Sequence, residues 1–118
     1  MNAYRLVVVT ENQNTKKKGE ILAQLLCEML ETQNEFMIEK YPKFDNSFRI
    51  EVTGVLRPDK NTIEASIVLT DRICSPWMVT YDGLDGKIEL TFNKSSSSKF
   101  RKTEFNVIRW SLFETEKV

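Results

Sequence analysis

Glu20-Ile21-Leu22-Ala23-Gln24-Leu25-Leu26-Cys27-Glu28-Met29-Leu30-Glu31, continued by Thr32-Gln33-Asn34-Glu35-Phe36-Met37, is the stretch on which the fold turns. Leu22, Leu25, Leu26, Met29, Leu30, Phe36 and Met37 recur at three- and four-residue spacing, the pattern of an amphipathic helix. Glu28, Glu31, Glu35 and Glu39 recur at the same spacing on the opposite side. Upstream, Asn14 and Thr15 are candidate N-caps. Lys16, Lys17 and Lys18 follow, with charge that opposes the helix dipole. Downstream, Pro42 ends the element. Thr32-Gln33-Asn34 is weakly helical and leaves room for a separate segment over Phe36 to Tyr41; one long helix is the preferred reading.

Outside this stretch the period is two. Tyr4 to Thr10 reads as a strand with apolar residues at both parities, which must be covered on both faces or lie at an interface. Phe48, Ile50 and Val52 alternate with Arg49, Glu51 and Thr53, and Gly54 marks a bulge or a close approach. Arg57-Pro58-Asp59-Lys60-Asn61 is turn chemistry. Ile63, Ala65, Ile67 and Leu69 alternate with Glu64, Ser66, Val68 and Thr70, which predicts the second strand of a hairpin. Further strands are expected around Trp77 to Tyr81, Ile88 to Phe92 and Glu104 to Phe113. The turn Asp82 to Gly86 joins the first two of these. A flexible serine-rich loop over 94–102 precedes the third, and a polar tail, 114–118, ends the chain.

These elements predict one α+β domain over residues 1–118, in the order β-α-β-β-β-β-β. One long amphipathic helix would pack on a curled antiparallel sheet of five to six strands. That element order is similar to a cystatin-like layout. The Gln-Val-x-Val-Gly loop of cystatin inhibitors does not occur, so protease inhibition is not implied.

Composition narrows the chemistry. The chain has 118 residues, 41% of them apolar, enough for one core. Seventeen basic residues balance seventeen acidic ones, and there is no histidine. Histidine-dependent triads, Cys-His dyads and imidazole metal sites are thereby excluded. Cys27 and Cys74 are expected as buried, reduced thiols. Arg72 is the group that could lower the pKa of Cys74. Four glycines are scattered and form no phosphate loop. No catalytic residue, metal site or cofactor is assigned, and Asp82 and Asp85 read as turn residues. No apolar run approaches the roughly 20 residues needed to span a bilayer. The expectation is a cytoplasmic chain that does not engage the membrane.

Two surface patterns remain as candidate sites. The glutamates Glu28, Glu31, Glu35 and Glu39 could present an acidic surface to a basic protein partner, with Trp77 and Tyr81 as aromatic anchors. Lys94, Lys99, Phe100, Arg101 and Lys102 form a cationic loop that could grip phosphates while Phe100 stacks on a base. Lys16, Lys17 and Lys18 would extend it if both loops share one end. Val7, Val9, Val55, Val68, Met78, Phe105 and Val107 would point away from the helix. A homodimer through that second sheet face is a further expectation.

In size, strand-rich α+β order, lack of catalytic equipment and acidic helix face, the chain resembles the small cytoplasmic immunity proteins of bacterial contact-dependent growth inhibition and related polymorphic toxin systems. The resemblance spans the chain as a layout and rests on no motif. It implies a non-enzymatic protein that inhibits a cognate toxin, an RNase or DNase domain, by masking its active site. The alternative is a nucleic-acid-associated protein using the two basic loops.

Overall fold

The computed structural model describes residues 2–31, 33–56 and 61–117. The predicted turn at 57–61 falls outside them except for Asn61. Strand β1 (Asn2–Thr10) leads to helix α1 (Lys16–Leu30), then strands β2 (Asn34–Lys40) and β3 (Phe48–Val55) and helix α2 (Thr62–Asp71). A short strand β4 (Cys74–Ser75) precedes the hairpin β5 (Met78–Asp82) and β6 (Lys87–Asn93). Strand β7 (Lys99–Phe100), a 3-10 turn (Thr103–Val107) and β8 (Ile108–Lys117) complete the order. Six strands form one antiparallel sheet, β2-β3-β1-β8-β6-β5, while β4 pairs with β7 separately.

The expected α+β class and antiparallel sheet are present; the single long helix is not. α1 begins as expected, with the Thr15 hydroxyl accepting from Lys18 N at 3.3 Å. It stops at Leu30 because Glu31 takes the left-handed conformation, φ 52° and ψ 25°. The freed carbonyls of the last turn find side chains instead of a further turn. Asn34 Nδ2 donates to Cys27 O at 3.1 Å and Arg72 Nη1 to Met29 O at 3.3 Å. The remainder of the predicted helix is β2. There Phe36 and Ile38 turn toward α1, and Glu35, Met37 and Glu39 turn away.

The second correction is α2, which replaces the expected strand over Ile63 to Thr70. Asn61 Oδ1 accepts from Ile63 N at 2.8 Å and from Glu64 N at 3.4 Å, a side-chain N-cap. Burial then follows the helical period through Ala65, Ser66, Leu69 and Thr70. The buried hydroxyls of Ser66 and Thr70 donate to the carbonyls of Thr62 and Ser66, at 2.7 and 2.9 Å. A buried polar group is thus tolerated inside the helix. The last strand also starts later and runs further than expected. Thr103–Val107 is a 3-10 turn, and Glu114 to Lys117 belong to β8 rather than to a tail.

Both helices pack on one face of the sheet, α1 over β2 and β3, α2 over β6 and β8. Leu6, Val8, Ile50, Val52, Leu90, Phe92 and Phe113 meet Leu22, Leu26, Leu30 and Leu69 there in one core. Phe105, expected on the outer side, is fully buried in that core. Gly54 is a close approach: a Cβ there would lie 2.6 Å from the Tyr4 hydroxyl. Among the described residues no helix covers the opposite face, and no helix is long and apolar enough to cross a membrane.

Candidate protein-binding surface

Strand register fixes what the open face presents, because alternate residues share a face. Across the sheet one row reads Met37, Glu51, Val7, Leu112, Thr91 and Met78. The row toward one end reads Glu39, Arg49, Val9, Trp110 and Asn93. Toward the other it reads Glu35, Thr53, Arg5, Glu114, Glu89 and Thr80. The apolar centre explains β1. Val7 and Val9 are buried although, among the described residues, no helix lies above them. Val55 and Met78 also lie on this face, whereas Val68 is exposed on α2.

Aromatics gather at the end where β1, β2 and β6 finish. The turn between β2 and β3 brings Tyr41 and Phe44 together, ring centroids 5.7 Å apart. The Arg109 guanidinium lies 3.8 Å over the Phe44 ring. With Val9, Trp110, Asn93 and Lys94 these side chains line an open concavity of about 410 Å³. Its walls are anchored: Tyr41 N donates to Ser47 O at 2.9 Å, and the Ser47 hydroxyl donates to Thr10 O. Tryptophan, tyrosine and arginine in a rigid concavity are the composition of an interface hot spot.

Charge surrounds this centre unevenly. Arg5 bridges Glu51 at 3.1 Å and Glu114 at 3.0 Å, and Arg49 reaches Glu39 at 3.5 Å and Glu51 at 3.9 Å. Glu35, Glu89 and Glu116 make no ion pair among the described residues, and Glu89 stands directly opposite Glu114. With Asp82, the face carries seven carboxylates against Arg5, Arg49 and Lys87, and Arg109 and Lys94 add two cations at the concavity. Carboxylates therefore outnumber cations on this face of a neutral chain, with the acidic excess away from the concavity.

The expected glutamate stripe is divided among elements. Glu28 is on α1, exposed on the other layer, and Glu31 pairs with Arg72 at 3.3 Å. Glu35 and Glu39 alone reach the open face. Trp77 is not an available anchor: its Nε1 donates to Cys74 O at 2.7 Å and Thr70 O at 3.2 Å, and its ring lies 5.6 Å from Phe92. Tyr81 is exposed, on the edge strand. Sequence reasoning missed Trp110, Tyr41, Phe44 and Arg109, for no local pattern marks a side chain that becomes exposed through sheet pairing.

The basic loop is also rearranged. Phe100 makes a T-shaped contact with Phe92, centroids 5.8 Å apart, and is partly buried against the core. Arg101 Nη2 meets Asp71 Oδ1 at 2.8 Å, and Lys94 Nζ meets Glu11 Oε1 at 3.1 Å and Asn106 O at 2.6 Å. Strand β7 and Ser98 N, which donates to Ser95 O at 3.1 Å, give the loop internal structure. Lys99 and Lys102 remain exposed. The Lys94–Glu11 pair brings the start of this loop beside the segment that leads to Lys16, Lys17 and Lys18.

Both cysteines are free thiols. Burial pushes the Cys74 thiol up to about 12; the lowering influence comes from Arg101, not from Arg72. Cys27, half-buried, is also raised, by burial and then by Glu28. Neither is a thiolate near neutral pH, which a nucleophile requires. Among the described residues no cluster of three or more Asp, Glu or Cys side chains is placed to hold a metal. No family model, curated protein or solved structure matches the chain.

Proposed function

We infer that this chain is a binding protein that engages another protein through the open face of its sheet. The observation that carries this reading is the rigid Trp110, Tyr41, Phe44 and Arg109 concavity set in a face rich in carboxylates. Apolar and aromatic groups supply the buried centre of an interface, and the surrounding carboxylates select a basic partner and speed encounter. A toxin domain with a cationic active-site cleft has that character, so an immunity protein remains the specific form of the proposal.

The test is affinity capture from the native cell extract, comparing the unsubstituted chain with Trp110→Ala, Glu35→Lys and Glu28→Lys. A basic toxin domain retained by the parent and by Glu28→Lys, but lost by the two variants on the face, is the expected result. Equal retention by all four would remove the open face from the mechanism.

A nucleic-acid-associated role is the second reading, supported by the Lys94–Glu11 pair, which sets the start of one basic loop beside the segment that leads to the other. Binding of DNA or RNA by Lys16, Lys17, Lys18, Lys99 and Lys102 would weaken steeply between low and moderate salt. Absence of any complex at low salt would exclude it.

A further inference from the structure

The two edges of the sheet differ. On β2 the edge carries Glu35, Glu39 and Lys40, charges that discourage pairing with another strand. β5, Met78-Val79-Thr80-Tyr81-Asp82, is exposed at every residue and has no lysine, proline or register shift along its pairing with β6. Its apolar side chains remain in water: Met78 is 66% exposed, Val79 46%, Tyr81 52%, and Leu84 at the hairpin tip 99%. The hairpin is preformed, since Asp82 O accepts from Gly86 N at 2.8 Å and Asp82 Oδ1 from Leu84 N at 2.9 Å. A strand added here would meet a fixed template.

The sequence of β5 says which strand suits it. We propose that two copies of this chain pair edge to edge through β5, antiparallel about a two-fold axis at Thr80, continuing the sheet from one copy into the other. In that register Val79 of each copy opposes Tyr81 of the other, on the same face as Leu90 and Ile88. Thr80 opposes Thr80. Aromatic with β-branched and threonine with threonine are favoured cross-strand pairs. The one charged residue of the strand, Asp82, opposes Met78, so no like charges face each other. A two-fold contact of this kind closes on itself and leaves the other edge alone. It also leaves the open face free and doubles it, in place of the dimer through that face expected from sequence. The inference stands independently of the proposed function.

Two measurements on the full chain test it. Sedimentation equilibrium should show a concentration-dependent dimer, and Val79→Lys should weaken self-association at least about tenfold. Oxidative crosslinking then reads the register. Thr80→Cys would place two thiols on the axis with Cα atoms roughly 4.5–5.5 Å apart, within disulfide range. Asp82→Cys would separate them by four residues, roughly 13 Å. Thr80→Cys should crosslink at least about tenfold faster than Asp82→Cys, above the background that the unsubstituted chain gives from Cys27 and Cys74. A monomer at every concentration, a dimer indifferent to Val79→Lys, or equal crosslinking of the two cysteine variants would overturn the proposal. Should Val79→Lys lose its native circular dichroism, the cysteine pair decides alone.

Discussion

Reversing one charge on the open face should make the fold more stable while making it a poorer binder. Glu89 on β6 stands directly opposite Glu114 on β8, and Glu114 Oε1 already lies 3.0 Å from Arg5 Nε. Like charges directly opposite across two strands are destabilising, and an opposite-charge pair contributes roughly 0.2–1 kcal/mol. Glu89→Lys converts the first situation into the second and extends the ladder to Arg5, Glu114 and Lys at position 89. The Arg5 side chain is 44% exposed, so screening trims the gain. About 0.5–1 kcal/mol is expected, a rise in Tm of roughly 2–4 °C for a chain of this size.

The assay is thermal unfolding followed by circular dichroism at low salt and at 1 M salt, where the screening length is about 3 Å. Glu89→Gln separates relief of repulsion from the new attraction and should gain about half as much. At 1 M salt most of the difference should vanish. A Glu89→Lys chain no more stable than its parent at low salt would refute the electrostatic reasoning, as would a gain that salt does not diminish. In the capture assay the same substitution should reduce retention of a basic partner, because it removes a carboxylate and adds a cation to the face.

Asn61→Ala removes the cap from two backbone N–H groups of α2 and should cost about 1 kcal/mol in urea unfolding, while Asn61→Asp should cost little. Glu31→Gly should stabilise by up to about 1 kcal/mol, since glycine takes the left-handed conformation freely and the exposed pair with Arg72 contributes little; a loss of stability would contradict the assigned φ. The Cys74 thiol, held at about 12 by burial against 9.0 as its reference, keeps its proton in the folded state while the unfolded thiol ionises. The unfolded state then binds fewer protons, so stability should fall as pH rises from about 9 toward 12, by at most about 1.4 kcal/mol per pH unit from this group. Cys74→Ala should show a shallower decline between pH 8 and 10.5; parallel curves would discount the buried thiol.

Much of the sheet was legible because strands with one face on a core alternate, as Phe48 to Val52 and Ile88 to Phe92 do. β1 was legible for the opposite reason. Its apolar residues at both parities belong to a strand that is buried on both faces. The stretch Thr62–Asp71 misled because Ile63, Ile67, Val68 and Thr70 are β-branched and alternate with other apolar residues. The cue that outranked this was already written. Asn61 and Glu64 have the spacing of an N-terminal helix cap, and Ala65, Leu69 and Ile73 recur every four residues. Glu31 hid the end of α1 because a left-handed cap is usually glycine, so nothing in the local pattern announced it.

The candidate site was harder to read than the fold because its charge pattern is a property of register. Glu35, Glu51, Glu89 and Glu114 lie on four strands, and only the pairing of β2 with β3, β3 with β1, β1 with β8 and β8 with β6 places them on one face. A helical stripe can be counted along the chain, but a sheet face must be counted across it. The same holds for the aromatics. Trp77 donates its N–H into the core side, whereas Trp110 lies in the outer concavity. What separates them is the direction of the pleat. A shift of β8 by one residue against β1 would exchange Trp110 for Ser111 on the open face and bury the tryptophan under α2. The bulge between Val9 and Thr10 in that pairing changes the register beside Trp110, between the aromatic end of the face and the rest of the ladder.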